Sequence, residues 1–167
     1  MKNFWEEEKK YLDDTFRKLT GISGIDAAAK QNARWSKKEI IGHLIDSASN
    51  NHQRFVRAQF TDDLIFPGYD QDEWVRIQNY QIMDWTLLIN LWKEFNFLII
   101  HLSGQISGEE MTRPRPNHNL DKIAWRAVPR DQPATLEYFI RDYFGHMRHH
   151  INQLFEQNNK AENIEII

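Results

Sequence analysis

From residue 136 to residue 155 the chain places apolar side chains at Leu136, Phe139, Ile140, Tyr143, Met147, Ile151, Leu154 and Phe155, a sustained 3.6-residue spacing. A strand alternates every second residue, so this stretch must be a helix with one buried face, and such a helix needs other helices to cover it. His146 and His150 lie within or at the margin of that stripe. They stand four residues apart, which puts them about 40° apart around the axis and one turn apart along it. Two imidazoles so placed can grip one ion, although an isolated pair of this kind more often belongs to ordinary core or surface histidines. His149 points elsewhere, roughly 60° from His146 and 100° from His150.

Three further segments carry the same period. Residues 2–19 place Phe4, Trp5, Leu12, Phe16 and Leu19 among charges and stop near Gly21 and Gly24. A second helix is predicted to start at Ser36, where Ser36-Lys37-Lys38-Glu39 has the capping-box form, and to run to about residue 59. Pro67-Gly68 marks a turn, followed by a short helix over residues 72–80. Asp84 caps the third long helix, whose Leu87, Leu88, Leu91, Phe95, Leu98, Ile99 and Leu102 predict the most buried member of the set, ending by Gly104 or Gly108. Thr135 caps the last helix, which is predicted to reach about residue 157, before a polar tail, NNKAENIEII, that either frays or pairs with a neighbour.

Between them, residues 107–134 contain Pro114, Pro116, Pro129 and Pro133 and room for a short β-hairpin over 123–128. Four long helices with a long third connection describe an all-α four-helix bundle, a single domain over residues 1–167, without internal repeats.

Composition narrows the function. A net charge of −3 lacks the concentrated basic face that phosphate-backbone binding needs, so no nucleic-acid partner is expected. The longest apolar stretch, residues 95–102, includes Asn96 and His101 and falls far short of a membrane span. The opening MKNFWEEEKK is acidic and lacks a signal peptide's apolar run, so a cytoplasmic location is expected. With no cysteine, any metal must be held by His, Asp, Glu or backbone.

His43 falls between Ile40, Ile41 and Leu44 on the second helix, where a hydrocarbon would cost less to bury. Ser47, Asn50, Asn51 and Arg54 continue that face as a polar seam. His43 is either a core histidine bonded to a backbone carbonyl or the third ligand of a site completed by His146 and His150. Three neutral imidazoles would leave coordination positions open, a catalytic rather than a closed structural arrangement. Nitrogen-only ligation suits Zn²⁺, Ni²⁺, Fe²⁺ or Cu²⁺, and Zn²⁺ or Ni²⁺ is the expected ion.

The segments WSKKEIIGHLIDS, NNHQRFVRAQ, FPGYDQDEW and FGHMRHHINQL resemble the DinB/YfiT-like superfamily of small metal-binding helical bundles, over nearly the whole chain. The resemblance implies that His43, His146 and His150 occupy the superfamily's three ligand positions, that His149 is a neighbouring non-ligand, and that a homodimer is reasonable. Aromatic residues on the first helix, more than one bundle face needs, suggest the same association. The HLIDS and PGYDQDEW portions resemble the bacillithiol-transferase branch, which implies transfer of a low-molecular-weight thiol to an electrophile.

Two enzymatic readings and one binding reading therefore stand: a metal-dependent thiol transferase, a metal-dependent hydrolase, and a non-catalytic stress-response protein that binds a metal or small ligand. Hydrolysis would be helped by a carboxylate, for which Asp46 and Asp142 are candidates; either could instead orient a ligand imidazole. Ser47, Asn50, Arg54, Trp74 and Tyr143 are candidate pocket residues, with Trp74 as a wall because it follows the turn motif. Trp35, Trp85, Trp92 and Trp125 are expected in core or hinge packing, and His118 could reach the site. Arg54, Arg57, Arg113, Arg115, Arg126 and Arg130 are surface charges or partners for a carboxylate-bearing substrate.

Overall fold

The structure is a computed structural model and describes residues 2–30 and 34–162, with side chains through Glu156. Four long helices dominate: α1 (Lys2–Thr20), α3 (Lys37–Arg57), α5 (Trp85–Gln105) and α8 (Leu136–Glu162). Short helices α2 (Gly24–Ala28), α4 (Gln71–Gln78), α6 (Gly108–Thr112) and α7 (Leu120–Ile123) and a 3₁₀ turn (Tyr80–Ile82) fill the connections. The last five residues of the tail lie outside the described residues.

The expected caps form. Ser36 Oγ accepts from Glu39 N at 3.3 Å, while Ser36 N donates to the Glu39 carboxylate at 2.8 Å, so two amides at the start of α3 are satisfied reciprocally. Asp84 accepts from Leu87 N at 2.8 Å and Thr135 Oγ1 from Tyr138 N at 3.1 Å, which starts α5 and α8 where expected. Asp70 caps α4 one residue earlier than the sequence pattern suggested. Asn79, at φ 50°, stops α4 in the left-handed region that asparagine tolerates.

Pairwise contacts establish the helix directions. Trp85 Nε1 donates to Leu19 O and Lys93 pairs with Asp13, so α1 and α5 are antiparallel. Lys38 Nζ donates to Met83 O while His52 meets Phe95 further along, so α3 and α5 are parallel. His43 faces His146 and Phe55 faces Phe139, making α3 and α8 antiparallel. Phe4 packs on Phe144, and Glu8 pairs with Arg148 at 2.9 Å, so α1 and α8 are parallel. The bundle thus runs up, down, down, up, and the parallel pair α3 and α5 explains the long connection over residues 58–84, since a chain returning to the same end must travel the length of the bundle first. In contrast, α5 and α8 are antiparallel, and the 106–135 connection is longer than that step requires.

Three sequence expectations are corrected. No hairpin forms over 123–128. Instead residues 107–134 hold α6 and α7, are pinned to the 58–66 segment by an isolated bridge of Leu64 with His118, and are closed on themselves by one of Arg115 with Ala134. The Asn119 side chain adds bonds to both Phe66 N and Phe66 O. Next, α5 is not the most buried of the long helices, α3 being more so: Leu87, Leu91 and Leu98 are 48%, 38% and 45% exposed, because only the other face of α5 meets α1 and α3. Lastly, the aromatics of α1 turn inward: Trp5 is buried, Phe4 packs edge-on against Trp5 and Phe144, and Tyr11 and Phe16 are half-buried. Among the described residues no helix is long and apolar enough to cross a membrane.

Candidate metal centre

The capping box sets the rotation of α3, and with it the inward aim of His43, which is buried. Gly42, one residue earlier, lets the Tyr80 ring lie flat on the helix, where a Cβ would overlap it. The antiparallel α8 then brings His146 and His150 to the same level. His43 Nε2 and His146 Nε2 are 3.3 Å apart, and one nitrogen from each of the three rings lies within 4.8 Å of the others. The rings meet edge to face, with centroids 4.5–5.2 Å apart.

These residues fit a divalent ion. Two nitrogens each roughly 2.0–2.1 Å from a tetrahedral ion lie about 3.3 Å from each other, which matches the His43–His146 separation. The imidazoles are also in the protonation state that ligation requires. Burial, reinforced by the neighbouring His150, pushes His43 and His146 down to about 3. His150 is lowered too, by burial, against the opposing pull of Gln153. The Gln153 Oε1 lies 2.9 Å from His150 Nδ1, which places the ring proton there and leaves Nε2 as the ligand atom. His149 is exposed, meets Gln153 Nε2 through its own Nε2 and stacks near Trp125, outside the trio.

The carboxylates have other partners. Asp46 accepts from the Tyr80 hydroxyl at 2.7 Å and from Gln78 Nε2, tying α3 to the segment after it. Asp142 accepts from Trp125 N at 2.8 Å and Arg126 N at 2.9 Å, anchoring the chain that leaves α7. Burial raises both carboxyls above the usual range despite these bonds. Neither bonds to an imidazole, and His43 Nδ1 is buried with no hydrogen-bond partner. The orienting partner found is Gln153, three residues beyond His150 on the same helix.

Beside the histidines opens a cleft of about 260 Å³, walled by α3, α8, the 68–71 turn and residues 122–125. Ser47, Arg54 and Tyr143 line it as expected, together with Asn51 and Tyr69, which sequence reasoning did not single out as pocket residues. Asn50 does not; its amide returns to Asp46 O. Trp74 does not either: it packs against Tyr69 with centroids 5.0 Å apart and is partly exposed. Trp125, expected in packing, is a cleft wall near His146.

The loop residues separate by burial. His118 stays in the loop, with Nε2 against Gln132 O at 2.7 Å and Nδ1 accepting from Leu120 N. Arg115 is fully buried against Glu110 and Ala58 O, and Arg113 pairs with Asp62 and Glu110.

No protein-family model and no curated protein matches the chain. Among solved structures it is similar to YfiT from Bacillus subtilis, described as "a probable metal-dependent hydrolase with an unusual four-helix bundle topology", at 17% identity and a TM-score of 0.77, over 96% of this chain and 87% of that one. The likeness extends through all four long helices and their connections, and it establishes the fold: this chain is a four-helix bundle of the YfiT type.

Proposed function

We propose that this chain is a metal-dependent enzyme that transfers a low-molecular-weight thiol to an electrophilic small molecule at the His43, His146 and His150 site. The observation that carries the reading is the state of the carboxylates: among the described residues Asp142 is the single Asp or Glu lining the cleft, and both its oxygens accept from backbone amides, while Asp46 lies outside the lining with Oδ1 on Tyr80 and Gln78 and Oδ2 buried. Attack by water gains from a free general base, whereas a thiol can shed its proton to solvent. A divalent ion, Zn²⁺ or Ni²⁺, supplies a centre of undiminished charge between three neutral imidazoles and so lowers the pKa of a bound thiol or water.

The chain's own contributions are binding and placement. His43 and His146, kept neutral by burial, present lone pairs at neutral pH, and Gln153 fixes the His150 ring. Trp125, beside His146, gives the cleft an apolar wall that limits water near the reacting atoms, and Phe139 lines the cleft further along α8. Sulfur forms a bond to the electrophilic carbon, the leaving group departs with the bonding electron pair, and the thiol proton goes to solvent.

The test is incubation of metal-reconstituted protein with a panel of cellular thiols and a chlorinated bimane, with conjugates measured by mass. Metal-dependent conjugation supports the proposal; its absence with every thiol overturns it. A hydrolase is the second reading, favoured by the description of YfiT, and ester or amide cleavage without thiol would support it.

A further inference from the structure

At the far end of the cleft from the histidines stands a cation without a countercharge. Arg54 is only 6% exposed, yet among the described residues no carboxylate pairs with it. Its guanidinium donates to Asn51 Oδ1 at 3.3 Å and to Pro67 O at 2.7 Å. A guanidinium has five N–H donors, so several remain for something else. Those two bonds hold the group in place and pin the turn at Pro67, but neutral oxygens do not offset the cost of burying a full charge. Burial accordingly pulls the Arg54 pKa down. The other buried arginine of the chain, Arg115, shows the alternative solution, an ion pair with Glu110.

The placement is directional. His43, Ser47, Asn51 and Arg54 all line the cleft from α3. At 1.5 Å per residue, Arg54 sits roughly 16 Å along the axis from His43. Its side chain leans back toward the start of the helix, which shortens the span between guanidinium and histidines to the order of 10 Å. Between the two ends the lining mixes polar and apolar side chains, Ser47 and Asn51 from α3 with Ile123 and Tyr143, while Phe139 stands opposite Phe55 at the Arg54 end. The cleft's acid, Asp142, is occupied by Trp125 N and Arg126 N. Lys122 is exposed at the rim, so a single buried positive charge awaits a single negative one.

Resting on the reading of the cleft as the substrate site, we infer that the substrate is an elongated monoanion, held by its carboxylate on Arg54 and reaching the three histidines with its other end. The planar fork of arginine matches a carboxylate in bidentate fashion, and the unused N–H groups supply that match. The residue therefore sets which molecules bind and in which orientation, and takes no part in bond making.

The test uses the full chain and tryptophan fluorescence, with Trp125 in the cleft wall as reporter. Metal-free protein is titrated with hexanoate and with its neutral isostere hexanamide. Hexanoate should bind about 10-fold or more tightly than hexanamide, and Arg54→Gln should abolish that preference. Arg54→Lys should retain part of it. Equal binding of the two ligands by wild type overturns the inference without reliance on any variant folding. Metal-loaded protein titrated with 6-mercaptohexanoate against hexanoate then tests the thiol separately. A gain from the thiol supports the transferase; no gain, with the carboxylate preference intact, refutes the thiol reading and leaves the Arg54 assignment standing.

Discussion

Replacing Gly42 by alanine should unfold the bundle more easily, although alanine is the better helix former by about 1 kcal/mol. A Cβ at this position would lie 2.6 Å from Tyr80 Cε2 and closer still to Cγ and Cδ2, where ordinary contact is 3.4–4 Å. The ring cannot slide away freely, since Tyr80 is 4% exposed and its hydroxyl is bonded to the buried Asp46. Overpacking of this kind costs roughly 1–3 kcal/mol. Losing the hydroxyl's bond to a carboxylate adds about 1.5–3 kcal/mol. Set against the propensity gain, the net destabilisation is about 1.5–5 kcal/mol.

Urea denaturation followed by circular dichroism measures it. With a slope of about 2 kcal/mol per molar, the midpoint should fall by about 0.7–2.5 M. In a Tyr80→Ala background the same substitution meets an open space and should become neutral or stabilising, giving a coupling energy of at least about 1.5 kcal/mol. A Gly42→Ala variant as stable as wild type would refute the account of how α3 and the 3₁₀ turn pack beside His43.

Acidification should expose the cost of charging the buried histidines. His43 sits near 3 in the folded chain against about 6.5 unfolded, so between those values the unfolded state binds more protons and folding weakens as pH falls. Comparing metal-free wild type with His43→Gln cancels the carboxylate contributions. The difference should move in the variant's favour by about 2 kcal/mol from pH 7 to pH 5, and a pH-independent difference would contradict the burial argument. Asp142→Ala removes both acceptors of the Trp125 and Arg126 amides, so their hydrogen exchange should accelerate about tenfold or more, and unchanged protection would show that something else anchors the segment.

Local chemistry was readable in the chain, and long-range pairing was not. Ser36, Asp84 and Thr135 cap their helices as expected because a cap needs only residues within one turn. The three histidines could be assembled because two share a helix and the third interrupts an apolar stripe. Helical phase was too coarse for the cleft. At 100° per residue, Ser47, Asn51 and Arg54 stand about 40°, 80° and 20° to one side of His43, while Asn50 stands about 20° to the other. The cleft opens on the first side, a choice made by α8 and the 68–71 turn. Likewise the outward leucines of α5 follow from which neighbours the up, down, down, up topology provides, and apolar content alone could not reveal them. Asp142 looked like a base or a ligand support; its amide partners lie 16 and 17 residues away across a loop.

The central claim is that His43, His146 and His150 hold one divalent ion. Metal content per chain, measured by mass spectrometry after reconstitution with Zn²⁺ or Ni²⁺ and removal of free ion, tests it most directly. The account predicts about one equivalent in wild type and in His149→Ala, and a small residual fraction in His43→Ala and in His150→Ala. Undiminished metal in both His43→Ala and His150→Ala would contradict it.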